Sequence, residues 1–408
     1  MNQHRIVGVR SRPWRGEVTP VGDVVFADGS TPLRWYVAAD DRWYVPESEP
    51  TVRQKWYSGY PVAETRMKVP SGDIVQRVYC VADLGGMLVM EFENESTLPV
   101  AVAVTRRDVL TTRPQIDNPP QGIDLPEGSI VLPLAHGAVT RVGLLHDRPH
   151  MGRLPDDIAN HQEIVRGWEG ACNVASRINV PDHALTAGVS QLRSAILLDD
   201  RSVLDGADNG AGHRGKRNDN LADQIAIERA RLGETHEDTV LEIVDAVQRR
   251  IKSERRAKTL AWDTPHLFAT AAWVCEKQGD DVAVADIGNT WLKMVDTPVE
   301  PLPIVAPGDV SMIAWVESLL VQASPSGGVC TVLPFGIPEP WWGSQFECHG
   351  LIADPRHRVS YAIRWHGARP ALLWEMSGEP GIVLAGGLAN EQWHSTDMSG
   401  ETLLSAPQ

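Results

Sequence analysis

Cysteine is scarce in this chain and shows no pairing pattern. The five residues, Cys80, Cys172, Cys275, Cys330 and Cys348, are odd in number, widely spread and form no C-x-x-C pair. Neither a disulfide framework nor a zinc site is therefore signalled, and each cysteine reads as a small buried hydrophobe. No apolar run approaches the roughly 18 residues of a membrane span. The opening stretch MNQHRIVGVRSRPW lacks the apolar core of a signal peptide, so a cytoplasmic location without membrane contact is expected. Basic charge is in short supply as well: 38 Lys+Arg face 53 Asp+Glu, a net charge of -15. A nucleic-acid or anionic-lipid surface needs a basic field, and this balance argues against one. H-E-x-x-H and G-x-S-x-G are both missing, which removes the usual contexts of a catalytic zinc and of a serine triad. No metal and no cofactor is expected.

Phe and Tyr are few, at 5 and 6, whereas Trp reaches 14. A tryptophan offers a wide flat face and one N–H donor, suited to core filling and to stacking on a sugar ring. At 408 residues the chain is long enough for two or three domains, each with its own core.

The apolar period divides the chain into three. Residues 1–147 carry short β-branched or aromatic runs, among them VGDVVFA, PLRWYVA, DIVQRVYCVA, GMLVMEFEN, LPVAVAVTR and GAVTRVGLL, separated by Gly, Pro, Asp or Asn. Strands without helical periods between them predict an antiparallel β-sandwich. In LPVAVAVTR the side chains of Val100, Val102 and Val104 share one face and the alanines take the other. FENESTLPVAV reads as a hairpin turn, and the proline-rich stretch 111–128 as a loop.

From 148 to 323 the period is helical. Leu185, Val189, Leu192 and Ile196 fall on one helix face; Val240, Val244, Val247 and Ile251 fall on another, preceded by a Thr235/Asp238 capping box. Thr264–Pro265 opens a further helix, with Leu267, Ala271 and Val274 inward. Roughly seven helices are expected in this region. Strand patterns return in 324–408, in RVSYAIRWHG, RPALLWEMSG and GIVLAGG, predicting a small C-terminal β-domain. The expected fold class is thus multidomain β plus α.

The stretch NGAGHRGKRND (209–219) satisfies G-x-G-x-x-G and nearly satisfies a phosphate-binding loop. A dinucleotide site needs a preceding strand, and a phosphate loop needs Ser or Thr where Arg217 stands. The pattern before the loop is helical, so neither nucleotide reading holds. A solvated surface loop remains one reading. A loop this long between helices also fits the edge of a binding site.

A β-sandwich followed by helical hairpins, the first carrying a long loop with glycine, Arg and Asp, resembles the six-hairpin (α/α)6-toroid glycoside hydrolases of glucoamylase and glucodextranase type. KRND (216–219) stands where that family often carries an Arg-Asp pair, and the C-terminal block SYAIRWHGARPALLWEMSG, LANEQW and GETLL is similar to the β-segment closing many actinobacterial members. The resemblance implies a carbohydrate-active protein that acts on or binds a small oligosaccharide or glycosylated metabolite. A full toroid of twelve helices needs roughly 200 to 300 residues, more than 148–323 supplies. The alternative is therefore a non-catalytic relative acting as a scaffold or sugar sensor.

Glycoside hydrolysis uses two carboxyl groups flanking the scissile bond. The candidates are Asp208 and Asp219 in the glycine loop with Glu339 and Glu347 around EPWWGSQFE. His213, Arg214 and Arg217 are candidate hydroxyl binders, and Trp341–Trp342 a candidate sugar platform, one ring stacking while the other anchors the loop. Glu64 and Glu375 read as structural carboxylates. The expected partner is a carbohydrate or glycosylated small molecule, with homo-oligomerisation left open.

Overall fold

The computed structural model describes residues 5–39, 42–116, 124–204, 216–305 and 308–405, with the side chains of 201, 202 and 216–220 also outside the description. The molecule is of mixed β plus α class with mostly antiparallel sheets. It divides into two compact units, residues 1–169 and 170–408.

In the first unit a four-stranded sheet runs in the order Ile130–Leu134, Val100–Val104, Trp35–Ala38, Trp43–Tyr44. A seven-stranded sheet contains, side by side, Val139–Leu145, Met87–Asn94, Gly72–Val81, Ala63–Val69 and Arg53–Trp56. The valines of Val100–Val104 enter one apolar core together with Met67, Val78, Met90 and Phe92 of the larger sheet. The alternation read in LPVAVAVTR is therefore real. Its alanine side is buried too, because Tyr36, Trp43 and Val131 cover Ala101 and Ala103.

The expected hairpin at FENESTLPVAV is a correction. Met87–Asn94 pairs with Gly72–Val81 and Val139–Leu145, whereas Val100–Val104 pairs with Trp35–Ala38 and Ile130–Leu134. The connection changes sheets instead of folding back. Asn94 holds it, its side-chain amide donating to the carbonyls of Leu98 and Leu134 and its oxygen accepting from the Ser96 N–H.

Eight helices are described: α1 (His161–Asn173), α2 (His183–Leu198), the single turn α3 (Arg201–Leu204), α4 (Lys216–Arg231), α5 (Thr239–Ala257), α6 (Thr264–Lys277), α7 (Asp281–Leu292) and α8 (Ser311–Leu320). Helix α2 is capped by Asp182, whose carboxylate accepts from the N–H groups of Ala184 and Leu185. Helix α6 begins at Thr264–Pro265 as expected, and from Leu267 to Cys275 it is buried on every side, the mark of a helix at the middle of a core. Ile227, Ile243, Val247 and Trp291 pack around it.

Helix α5 departs from its expected face and cap. Its buried stripe is Thr239, Ile243, Ala246, Val247, Arg250 and Glu254, with Val240, Val244 and Ile251 half-buried. The helix turns its charged pair inward because Arg250 meets Asp263 at 2.7 and 3.0 Å and Glu254 accepts from Thr264. No capping box forms: Asp238 makes no side-chain cap, and the Thr239 hydroxyl accepts from His236 N–H.

Two sheets complete the second unit. Arg177–Asn179, a strand inside the expected helical stretch, lies at the edge of an antiparallel sheet with Phe346–Ile352, Arg358–His366, Arg369–Ser377 and Ser399–Leu403. The other sheet joins Val329–Val332 to Val383–Gly386 in parallel. All five cysteines are buried; burial pushes the Cys275 thiol up to about 12, so it stays a neutral packing group. Among the described residues no helix is long and apolar enough to cross a membrane.

Candidate functional site

The second unit holds a buried knot of charge. Glu317 on α8 is fully buried, and its Oε1 accepts from the Ser176 hydroxyl at 2.6 Å, from Arg193 at 2.9 Å and from Arg231 at 3.0 Å. Arg193 and Arg231 also reach Glu228, at 2.7 and 2.8 Å. Burial opposes the ionisation of Glu317; Arg231 and Arg193 overcome that and hold its carboxyl well below the usual range. His266 Nε2 stands 3.6 Å from the other oxygen of Glu317. Burial is the main influence lowering the pKa of His266, opposed by Glu317 and assisted by Arg231. The ring is thus neutral at pH 7, and its contact with Glu317 is that of an ion with a dipole.

His266 occupies the first turns of α6 and borders two cavities. One, of about 30 Å³, is lined by Gln224, Glu228, Asp263 and Thr270 beside His266. It holds roughly two waters at most. The other is a cleft of about 310 Å³ whose walls include Trp262, Pro265, Pro301 and Phe335, with Ser318, Gln322 and Glu300 as polar groups.

A strap forms one wall of the cleft. Leu260 N–H donates to Pro298 at 2.8 Å and Glu300 N–H donates back to Leu260 at 2.8 Å, while the indole N–H of Trp315 holds the Pro303 carbonyl at 2.8 Å. Proline at 298, 301 and 303 removes N–H donors and keeps the strap extended. Its shape is consequently fixed from the α6 and α8 sides.

The residues singled out in the sequence distribute as follows. Asp208, His213 and Arg214 lie outside the described residues. Arg217 and Asp219 stand in the first turn of α4, their side chains outside the description. Glu339 is exposed and opens the 3-10 turn Glu339–Trp341. Glu347, on Phe346–Ile352, meets Arg364 at 3.4 Å and both Arg177 and His349 at 3.6 Å. Slight burial opposes its ionisation, but His349, Arg177 and Arg364 hold its carboxyl below the usual range.

Trp341 is buried with its ring edge-on to Phe346 at 5.4 Å, whereas Trp342 is 39% exposed and donates its indole N–H to the Ile337 carbonyl. None of Glu339, Glu347, Trp341 and Trp342 lines either cavity described above. Glu64 is a buried member of a structural cluster, accepting from Tyr57, Arg66 and Arg77.

The cleft was not anticipated from the sequence, because its walls come from segments near 262–266, 299–302, 318–323 and 334–335. The available signals were the proline spacing in TPVEPLPIVAP and the aromatic-proline-histidine run WDTPH. Among the described residues no group of three or more His, Cys, Asp or Glu is arranged to hold a metal ion.

No protein-family model matches the chain, and no curated protein matches it. Among solved structures, a human-microbiome protein assigned as a kojibiose phosphorylase is 7% identical, with 98% of this chain and 91% of that chain covered, at a TM-score of 0.36. A family GH92 α-mannosidase from Bacteroides thetaiotaomicron is 8% identical, with 72% of this chain and 55% of that chain covered, at a TM-score of 0.18. Both names are those of carbohydrate enzymes. At these TM-scores neither likeness assigns this chain a fold or an activity.

Proposed function

We propose that the chain binds a small oligosaccharide or glycosylated metabolite in the cleft beside His266. The scaffold we read is a β-sandwich over 1–147, a shortened six-hairpin, toroid-like region over 148–323 and a β-domain over 324–408. The observation that carries the function is the cleft itself: about 310 Å³, lined by the aromatic residues Trp262 and Phe335 together with the polar residues His266, Ser318 and Gln322. That volume lies at the lower end of ligand pockets, which span roughly 300–1,000 Å³. A pyranose has apolar ring faces and a polar rim, so aromatic walls with polar edges match both.

Binding without hydrolysis is the better-supported form. A glycosidase needs two carboxyl groups about 5 to 10 Å apart, one of them kept protonated. Glu300 is the only carboxylate among the described residues lining the cleft. Glu228, Asp263 and Glu317 nearby are each paired with an arginine, and the carboxyl of Glu317 is held well below the usual range, which suits it poorly to donate a proton. A hydrolytic site built from Asp208 or Asp219 with Glu339 or Glu347, and Trp342 as platform, is the second reading.

A glycan array followed by calorimetric titration separates the two. Trp262→Ala and Phe335→Ala are expected to weaken any bound glycan about tenfold or more, stacking on an aromatic ring being worth roughly 1–3 kcal/mol. A glycan whose affinity survives both changes but is lost in Trp342→Ala moves the site to the Trp341–Trp342 segment. Binding to no glycan on the array overturns the proposal.

A further inference from the structure

The charge of the cleft narrows what it takes. Its described lining contains no Lys or Arg, and Glu300 is the only formally charged side chain there. Among the described residues Glu300 has no ion-pair partner. Its backbone is nonetheless fixed, because residues 298 and 300 exchange hydrogen bonds with Leu260 and Val299 bridges Leu260 in parallel. Glu300 is therefore carried on a fixed stretch of chain, and its exposed side chain can turn toward a ligand in the cleft.

Three further features act in the same direction. His266, the one cleft group able to acquire positive charge, is held neutral mainly by its burial. The aromatic faces of Trp262 and Phe335 are negative at their centres and attract cations. The net charge of -15 adds a long-range field of the same sign. A carboxylated or phosphorylated sugar meets repulsion from Glu300, the ring faces and the net charge, and no compensating cation in the described lining.

We propose that the cleft selects a protonated amino sugar, with the Glu300 carboxylate accepting from the ammonium group and the Trp262 or Phe335 face covering the ring. The assignment rests on the carbohydrate reading above and adds the chemical class. No bond is made or broken; selection is by charge and stacking.

Three disaccharides of one linkage and different C2 substituents test it: the β-1,4-linked glucosamine dimer, its di-N-acetylated form and cellobiose. Titrated by ligand-observed NMR at pH 6.5 in low salt, where the amine is protonated, the glucosamine dimer is expected to bind about fivefold to tenfold more tightly than the other two. Glu300→Gln removes the charge without changing the rim's shape, and should erase this preference, so that the three dimers no longer differ in affinity. Equal binding of all three by the native protein, or a preference that persists in Glu300→Gln, overturns the amine selectivity and leaves the carbohydrate reading intact. Binding of none of them, with none on the glycan array, removes both.

Discussion

Asp23 lies next to the strand Val24–Val25, with the Arg34 Nε 3.9 Å from its carboxylate. Burial is the main influence on it and outweighs Arg34, so its pKa rises to about 6. A carboxyl with a raised folded-state pKa binds its proton more tightly folded than unfolded. Its favourable contribution is complete below the unfolded value of about 3.9, and it is lost as pH climbs through about 6. Asp23→Asn keeps the shape and removes the charge. We expect it to stabilise the protein by about 1–3 kcal/mol at pH 7.5, from about 1.4 kcal/mol per pKa unit, and by much less at pH 4.5. Thermal melts at the two pH values check this; a lower melting temperature at pH 7.5 would count against a net cost of burying this charge.

The strap is the element whose behaviour most affects the cleft. Trp315 tethers it through one hydrogen bond from the indole N–H to the Pro303 carbonyl. Trp315→Phe retains an aromatic ring on α8 and deletes the donor. A neutral hydrogen bond of this kind is worth roughly 0.5–1.5 kcal/mol, so glycan affinity should drop about threefold while the melting temperature barely moves. An unchanged affinity would show that the tether at Leu260 suffices to shape the wall.

Elements differ in how openly the sequence declares them. The start of α6 was legible because Pro265 fits a first helical turn and nothing else in its neighbourhood competes. The valine face of Val100–Val104 was legible from alternation alone. Its partner was not, since a polar turn says that the chain reverses and leaves open which sheet receives it. The α5 stripe was misplaced by about one residue because apolar periodicity gives no weight to Arg250 and Glu254, which are buried by their partners Asp263 and Thr264. The site suffered more: the cleft is assembled from four distant segments, and the glycine loop lies partly outside the described residues.

Across the whole molecule, several groups make stability depend on acid. Among the described residues His146 has no hydrogen-bond partner for either ring nitrogen; it stacks on Trp14 at 3.9 Å and is lowered to about 4, mainly by burial and then by Arg15 and Arg12. A histidine held neutral when folded stabilises fully above its unfolded pKa of about 6.5, and that contribution is lost as pH falls toward about 4. Glu91 follows at lower pH: burial opposes its ionisation, yet His161 and Arg141 bring it to about 2. Carboxylates with depressed values stabilise above about 4.3 and lose that contribution below it. Glu64 and Glu317 shift the same way. Between about pH 6.5 and 4.5 the loss at His146 and the gain at Asp23 oppose each other, and below that range the carboxylates add a fall in melting temperature. In Asp23→Asn the opposing gain is gone, so its melting temperature should fall across both ranges, and adding His146→Leu should flatten the first alone. A flat profile of Asp23→Asn from pH 7 to 4 would contradict the burial of His146.

The knot around Glu317 has a consequence for how the chain is made. Arg193 and Glu317, one of its two carboxylate partners, are 124 residues apart, and at about 5–20 residues per second of synthesis the arginine waits roughly 6 to 25 seconds for it. Until then Arg193 and Arg231 share the single carboxylate of Glu228, so α2 and α4 cannot bury both guanidinium groups without cost, and the nascent helices are kept from closing prematurely around an incomplete core. A ribosome that stalls before α8 would release a product with exposed apolar faces and one positive charge in excess, the kind of surface by which chaperones and proteases recognise unfinished chains.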